Sequence, residues 1–431
     1  MFSLKRILKK WEDQGREINI GLIGAGRMGT GLAVVLSKIP AMNLRFVVDL
    51  MIDRAADALI ASGVSRGDII NVDEGMMGNW DLNEKKYIST DYRRACSFEG
   101  IDMIVDATGD PEAGAEISLE TFKCSKDLVM LNIEADATIG PWLKKLAADY
   151  GVLYTVTSGD EPGAIMEIYN FVDLLGFEII AAGKGKNNVL DRKATPDSVA
   201  EFAKRQGINP RLICAFIDGS KSMVEMTVLS NATGFVPDVR GMHTPNADVK
   251  DLTNIFRLKE DGGILNREGI VDFVIGDVAP GVFMVVRHDE KIVTEDLVYL
   301  KLGKGPVFTI YRPYHLANIE TPTSMAYAAI YREPILVAEG RPYSEAITVT
   351  KRDIRAGETL DGIGGFTVYG SIDEYDVCRR ENLLPLGLAF DARVKKDIKK
   401  DEFITYDMVD LKETLLLDFR RKQDQLFSIL L

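Results

Sequence analysis

The hexapeptide Gly24-Ala25-Gly26-Arg27-Met28-Gly29 constrains this chain more than any other feature. It follows an apolar run that starts at Ile18 and leads into a helix-like segment that extends through Val35. In a strand–turn–helix of this kind each glycine has its own task. Gly24 turns the backbone sharply at the strand end, Gly26 has no Cβ and admits a diphosphate to the main chain, and Gly29 lets the helix pack close to the sheet. Backbone N–H groups at the helix start, together with the helix dipole, then favour the negative charge of the phosphates. A glycine turn alone says little, but the context matches. The run 44–48 ends in Asp49, an acid about 20 residues past the fingerprint and placed to take ribose hydroxyls. A third run, 101–105, leads into Asp106-Ala107-Thr108-Gly109, and a fourth, 128–131, into Asn132. Strands alternating with helices predict an α/β fold with a doubly wound Rossmann sheet. The expected dinucleotide-binding residues are Gly24, Gly26, Arg27, Met28, Gly29, Asp49, Thr108, Gly109 and Asn132. Asp49 favours a free 2′-hydroxyl and hence NAD, whereas Arg27 or Arg54 can hold a 2′-phosphate and hence NADP; both cofactors stay open.

With 431 residues the chain is long enough for two or three domains. A net charge of −13 excludes the basic footprint of a nucleic-acid surface, though not a local basic pocket for an anionic substrate. Cys96, Cys124, Cys214 and Cys378 are scattered, with no pair at metal-ligand spacing, and read as reduced thiols. The first 16 residues are charged and amphipathic, without the apolar core of a signal peptide, and no run approaches the roughly 20 apolar residues that cross a bilayer. The expectation is a cytoplasmic protein without membrane or nucleic-acid partners.

Three regions follow from the patterning. Residues 1–157 form the dinucleotide-binding domain, interrupted by an insertion at 67–86 that carries Gly75, Met76, Met77, Gly78, Asn79 and Trp80. Residues 158–320 read as an α+β substrate and dimerisation domain, with helices at 161–175 and 222–231 and strand-like runs at 178–183, 270–275, 282–286, 296–299 and 308–311. A polar loop is expected at 184–195, and a helix at 321–333 that packs back on the first domain. Residues 340–431 read as a small β-rich domain with an internal echo, since Lys351-Arg352-Asp353-Ile354 and Glu358 recur in frame as Lys395-Lys396-Asp397-Ile398 and Glu402.

Several clusters can carry chemistry. Asn132, Glu134 and Asp136 follow a presumed strand, and Asp160 and Glu161 follow the next one. Converging carboxylates raise one another's pKa or hold a divalent cation, Mg or Mn; Glu134, Asp136 and Asp160 are the expected ligands, with helix capping as the alternative role. Lys184 and Lys186, on what reads as a glycine-flanked turn, can reach an oxyanion or phosphate, and a desolvated lysine can act as general acid when a carbonyl receives hydride. Lys221 and Glu225 share a helical face, as a surface ion pair or as part of a site. Arg312 and His315 could grip an anion or form a structural pair. No zinc signature, Gly-x-Ser-x-Gly elbow or Walker loop occurs.

Taken together, the fingerprint, Leu131-Asn132-Ile133-Glu134-Ala135-Asp136, Ser158-Gly159-Asp160-Glu161-Pro162-Gly163, Gly183-Lys184-Gly185-Lys186-Asn187-Asn188 and Asp218-Gly219-Ser220-Lys221 resemble the homoserine-dehydrogenase-like oxidoreductases that carry a C-terminal SAF domain. The chain is also similar to deoxyxylulose-phosphate reductoisomerase-like enzymes of isoprenoid synthesis, and the resemblance covers nearly its whole length. It implies NADP(H) use, a homodimer, a substrate pocket between the first two domains, and a small phosphorylated sugar such as 1-deoxy-D-xylulose 5-phosphate as substrate. It strengthens catalytic roles for Lys184, Lys186, Asp160 and Glu161, to which Lys221 is added from its position. Ile133 departs from ordinary homoserine dehydrogenases, which carry a lysine there, and the Asp-Ser-Glu metal signature of ordinary reductoisomerases is missing. The alternatives are a dehydrogenase of homoserine, a polyol or a branched sugar acid, and a non-catalytic dinucleotide-sensing protein.

Overall fold

A computed structural model describes residues 3–74 and 85–428; the insertion residues Gly75, Met76, Met77, Gly78, Asn79 and Trp80 lie outside the described residues. The chain divides into two compact units, one of Met1–Asp160 with Leu316–Val337 and one of Glu161–His315 with Ala338–Leu431.

The first unit opens with α1 (Leu4–Asp13), β1 (Ile18–Ile23), α2 (Arg27–Leu36), β2 (Met42–Val48) and α3 (Ile52–Ala61). β3 (Ile69–Asn71), β4 (Lys86–Ser89), α4 (Tyr92–Ser97), β5 (Met103–Asp106), α5 (Pro111–Lys123), β6 (Asp127–Met130), α6 (Ile133–Tyr150) and β7 (Tyr154–Val156) follow. Seven parallel strands lie in the order β3-β4-β2-β1-β5-β6-β7. The inner strands read as near-continuous apolar runs because helices on both faces bury them. The chain winds outward from β1 through β2, then returns to β5 on the other side. That reversal is the topological switch point, where open α/β sheets take their ligands at the carboxyl ends of the strands.

The second unit begins with α7 (Glu161–Leu174), β8 (Glu178–Lys186), α8 (Ala200–Gln206), α9 (Pro210–Ile217), α10 (Ser220–Thr233) and α11 (Leu252–Ile255). β9 (Ile270–Ile275), β10 (Val282–Arg287), α12 (Lys291–Tyr299) and β11 (Val307–Arg312) complete a mixed sheet of order β11-β10-β8-β9. Two expectations change here. β8 runs on through Lys184, Gly185 and Lys186, which were expected in a polar loop. Both edges of β8 are paired, Lys184 with Val282 and Phe273, and Lys186 with Ile275, so ladder bonding overrides the local polarity. Its glycines serve close packing instead of a turn: a Cβ on Gly183 would lie 2.1 Å from the Asp272 carbonyl oxygen, and one on Gly185 2.1 Å from the Ala279 nitrogen. Residues 296–299 are the last turns of α12, not a strand; Val298 suggests β structure, but the segment has no strand to pair with and closes helical bonds such as Leu300 N–H to the Asp296 carbonyl.

The chain re-enters the first unit as α13 (Ala317–Tyr331), whose Met325, Ala326 and Ala328 join that unit's core. The remaining residues, 338–431, group with the second unit and comprise β12 (Ser344–Thr350), β13 (Val368–Glu374), α14 (Tyr375–Arg380), β14 (Arg393–Val394), β15 (Val409–Asp410) and α15 (Leu415–Ser428). The internal echo is structural. Ile354 and Ile398 exchange backbone hydrogen bonds at 2.9 and 2.8 Å. Around them Asp397 accepts from Ala356 N–H as Asp353 accepts from Lys400 N–H, and Glu358 caps Arg355 N–H as Glu402 caps Lys399 N–H.

Candidate functional site

In the first unit the fingerprint glycines have separable environments. Gly24 holds φ at +97°, and a Cβ there would lie 2.7 Å from the Ala107 backbone. A Cβ on Gly29 would lie 1.9 Å from the Gly24 carbonyl oxygen. Gly26 caps α2 from an exposed position, with nothing within 4 Å of where its Cβ would stand. That open ground in front of the first helical turn fits a diphosphate. Arg27 and Met28 are exposed beside it. Asp49 stands at the end of β2, where its carboxylate accepts the Ala25 N–H at 2.8 Å and the Met51 N–H at 2.9 Å, and so braces the glycine loop.

Thr108 and Gly109 are exposed past the end of β5, and Asn132 is fully buried below them. The Asn132 amide donates to Asp106, to the Thr108 hydroxyl and to the Asp110 carbonyl, while its oxygen caps α6 at Ala135 N–H. Asn132 therefore fixes the shape of the loop that carries Thr108. Desolvation pushes the buried Asp106 carboxyl up to about 6, against the hydrogen bonds from Thr108 and Asn132.

The carboxylates expected to hold a cation do not gather. Glu134 and Asp136 lie buried in the first turn of α6, and Asp160 is buried at the end of the first unit. Among the described residues, the acidic groups close enough to share an ion include neither Glu134 nor Asp136. Asp136 instead accepts the Tyr154 hydroxyl at 2.6 Å, and desolvation raises its pKa to about 6 in spite of that bond. A carboxyl raised in the folded state contributes stability that is complete below its unfolded value and lost as pH rises through 6. Asp136→Asn, which can still accept from Tyr154, avoids that loss. Its stability relative to the parent is expected to improve between pH 4.5 and 7.5 by on the order of 2 kcal/mol in urea unfolding; a gap that stays constant over that range would contradict the assignment.

The second unit assembles the more reactive cluster. Glu161 starts α7, Lys184 and Lys186 project from the same face of β8, and Lys221 and Glu225 lie one turn apart on α10. Lys184 Nζ is hydrogen-bonded to both Glu161 and Glu225, and the three residues are 5, 8 and 1% exposed. Burial opposes the Lys184 charge, but the two carboxylates outweigh it and hold its pKa above the ordinary lysine value. Glu225 is raised by desolvation and by the Glu161 charge, against Lys184 and Lys221. Lys186 donates to the Phe216 carbonyl. Desolvation, then the Lys184 charge, lowers Lys186 to about 8. His315 stands with Nδ1 2.8 Å from the Pro280 carbonyl and Nε2 3.6 Å from Glu161. Arg312 pairs with Glu167 at 2.9 Å. The cluster thus combines a lysine fixed as an ammonium, a second lysine that exchanges its proton near neutrality, and a carboxylic acid with a raised pKa, a set suited to acid–base chemistry on an oxygen.

Residues 159–321 match the family model of the oxidoreductase DRL catalytic domain. The chain carries an oxidoreductase catalytic domain. That segment contains Glu161, Lys184, Lys186, Lys221, Glu225 and His315. Among curated proteins the chain is similar to L-lactate dehydrogenase of Pseudothermotoga lettingae, 22% identical over 331 residues that cover 70% of this chain and 91% of that one. Among solved structures it is similar to a probable dehydrogenase from Thermotoga maritima, with a TM-score of 0.40 and 12% identity over 74% of this chain and 91% of that one. It is also similar to myo-inositol dehydrogenase from Lactobacillus casei in complex with NAD(H) and myo-inositol, with a TM-score of 0.30 and 13% identity over 43% of this chain; the chain spans half the length of that protein.

Glu225 and His315, each open between a structural role and a site role in the sequence, both stand at the Lys184–Glu161 cluster. For Glu225 a signal was present: α10 is buried continuously from Ser222 to Asn231, and an acid inside a helix with no polar face must find a cation. His315, read in the sequence together with Arg312, has its partners at residues 161 and 280 instead, while Arg312 pairs with Glu167. No described helix is long and apolar enough to cross a membrane.

Proposed function

We propose that the chain is an NAD(P)H-dependent oxidoreductase acting on a small anionic hydroxycarbonyl compound, in a reductoisomerase-like reaction on a phosphorylated sugar such as 1-deoxy-D-xylulose 5-phosphate. The observation that carries the reading is Lys184, a buried ammonium clasped by Glu161 and Glu225 beside Lys186, within the segment that matches an oxidoreductase catalytic domain. Gly24, Gly26, Arg27, Met28 and Gly29 would hold the diphosphate, with Asp49, Thr108 and Gly109 along the strand ends and Asn132 holding that loop in shape. When bound, the nicotinamide supplies or accepts a hydride. Lys184 donates a hydrogen bond to the substrate oxygen and stabilises the charge that develops there. Lys186 delivers or removes its proton, and Lys221 adds positive charge that suits an anionic substrate. Of the expected ligands, Glu134 and Asp136 stand apart, whereas Asp160 lies with Glu161 and Glu225 close enough to share an ion; no step is assigned to a metal.

The likeness to L-lactate dehydrogenase over most of the chain favours, as a second reading, simple dehydrogenation of a hydroxy acid. Both readings place the enzyme in the cytoplasm as a homodimer; exposed Leu174, Ile292, Tyr299 and Leu300 support self-association, which sedimentation velocity would measure. Titration with NADPH and NADH by fluorescence, then assay of phosphorylated ketoses against hydroxy acids by nicotinamide absorbance, tests the proposal. Turnover of a phosphorylated ketose supports the first reading and turnover of a hydroxy acid the second. Cofactor binding with no turnover of either class would leave a dinucleotide sensor, and no cofactor binding would reject the oxidoreductase reading.

A further inference from the structure

Two buried lysines approach the C-terminal end of α9. Lys186, from β8, reaches the Phe216 carbonyl. Lys351, directly after β12, reaches Asp218, the residue that follows the helix, with Nζ 2.8 Å from Oδ2. Lys351 also donates to the carbonyls of Ala194 and Gly365 at 2.7 Å each and lies 3.4 Å from Cys214 Sγ. Its own side chain is 2% exposed and that of Asp218 is fully buried. The internal echo makes this placement notable. Lys395, the counterpart of Lys351 in the second copy, lies at the surface, 3.7 Å from Asp410. One copy of the repeat has therefore sent its lysine inward, where it costs desolvation that only a paired carboxylate offsets.

We propose that Lys351 is a positioning residue for Lys186: it takes the Asp218 carboxylate and leaves Lys186 bonded to the Phe216 carbonyl alone. The groups acting on Lys186 are Lys184 on its own strand, Glu225 on α10 and Asp218 after α9. Lys184 disfavours the Lys186 ammonium, and the two carboxylates favour it. With Asp218 neutralised by Lys351, burial and Lys184 prevail and Lys186 can part with its proton near neutrality. Without Lys351, the Asp218 charge would be left uncompensated, and its pull on the Lys186 ammonium would grow. The C-terminal segment thereby sets the protonation state of the catalytic cluster through one side chain.

The inference rests on the reading of Lys186 as the proton-transfer residue, but its test requires no substrate. Full-length protein labelled with 13Cε-lysine is titrated by NMR, with the Lys186 signal assigned through Lys186→Arg. Lys351→Met is expected to move the Lys186 midpoint upward by about one pH unit, Asp218→Asn to move it downward, and Lys351→Arg to leave it in place. Lys351→Met/Asp218→Asn, which removes both charges, returns the midpoint towards the parent. Thermal melts confirm that each variant is folded. If Lys351→Met does not fold, the nearly isosteric Asp218→Asn and the double variant decide. A midpoint that stays within about 0.2 units in Lys351→Met or, where that variant does not fold, in Asp218→Asn overturns the proposal and leaves Lys351 a structural tether. Failure to find turnover would sink the functional reading and leave this result untouched.

Discussion

Lys184→Met is expected to lower turnover by about 100- to 10,000-fold while NADPH affinity stays at the parent value. The dissociation follows from where the lysine sits. It belongs to the second unit and contacts Glu161 and Glu225, whereas the fingerprint glycines belong to the first. The same substitution deprives Glu161 and Glu225 of the ammonium that they share. Breaking a buried ion pair costs about 3–5 kcal/mol, and part of that cost is recovered if one acid takes a proton. Glu225 is the acid to do so, since desolvation and the Glu161 charge already raise its pKa. A carboxyl raised in the folded state adds stability below its unfolded value and loses it as pH rises through the folded value. The variant is therefore expected to melt at a higher temperature, relative to the parent, at pH 5.5 than at pH 8. Turnover equal to the parent's would remove Lys184 from the chemistry; a melting deficit independent of pH would show that the acids do not share a proton.

Gly29→Ala and Gly26→Ala are expected to fail in opposite ways. The added methyl at position 29 would stand 1.9 Å from the Gly24 carbonyl oxygen, in backbone that cannot step aside without shifting α2. The expected cost is about 3 kcal/mol or more, read as a fall in melting temperature with or without cofactor. At position 26 the methyl meets nothing within 4 Å and φ is an ordinary −69°, so the fold is expected to keep its stability. What that methyl occupies is the approach to the helix N-terminus, and affinity for both nicotinamide cofactors is expected to fall by about tenfold or more in fluorescence titration. If Gly26→Ala bound NADPH as tightly as the parent, the fingerprint would be a packing device only.

How much of this was legible beforehand depended on the range of the interactions. The dinucleotide end was readable because strand, glycines, helix and Asp49 form one local mechanism with fixed spacing. Even there the structure adds a detail, for Asp49 spends its carboxylate on Ala25 and Met51 N–H groups. Lys184 and Lys186 read as side chains on a loop, and the structure puts them on β8. A Lys-Gly-Lys segment reads as a loop until both neighbouring strands claim its backbone. The same glycines that suggested an exposed turn are what lets Asp272 and Ala279 approach. Asp136 illustrates the converse: its sequence position suggested a ligand, and its contact with Tyr154 reveals a buried, hydrogen-bonded acid.

By itself, then, the order of apolar runs, glycines and acids determined a parallel α/β sheet with a glycine turn and an open helix N-terminus at its switch point, because those features follow from backbone geometry within about 30 residues. Tertiary structure alone decided which charges meet. Lys184 lies 23 residues from Glu161 and 41 from Glu225, and Lys351 reaches Asp218 across the whole intervening chain. Pairings of that kind leave no periodic trace in a sequence. They arise because a buried charge is too costly to leave alone, and the fold brings it the partner that makes burial tolerable.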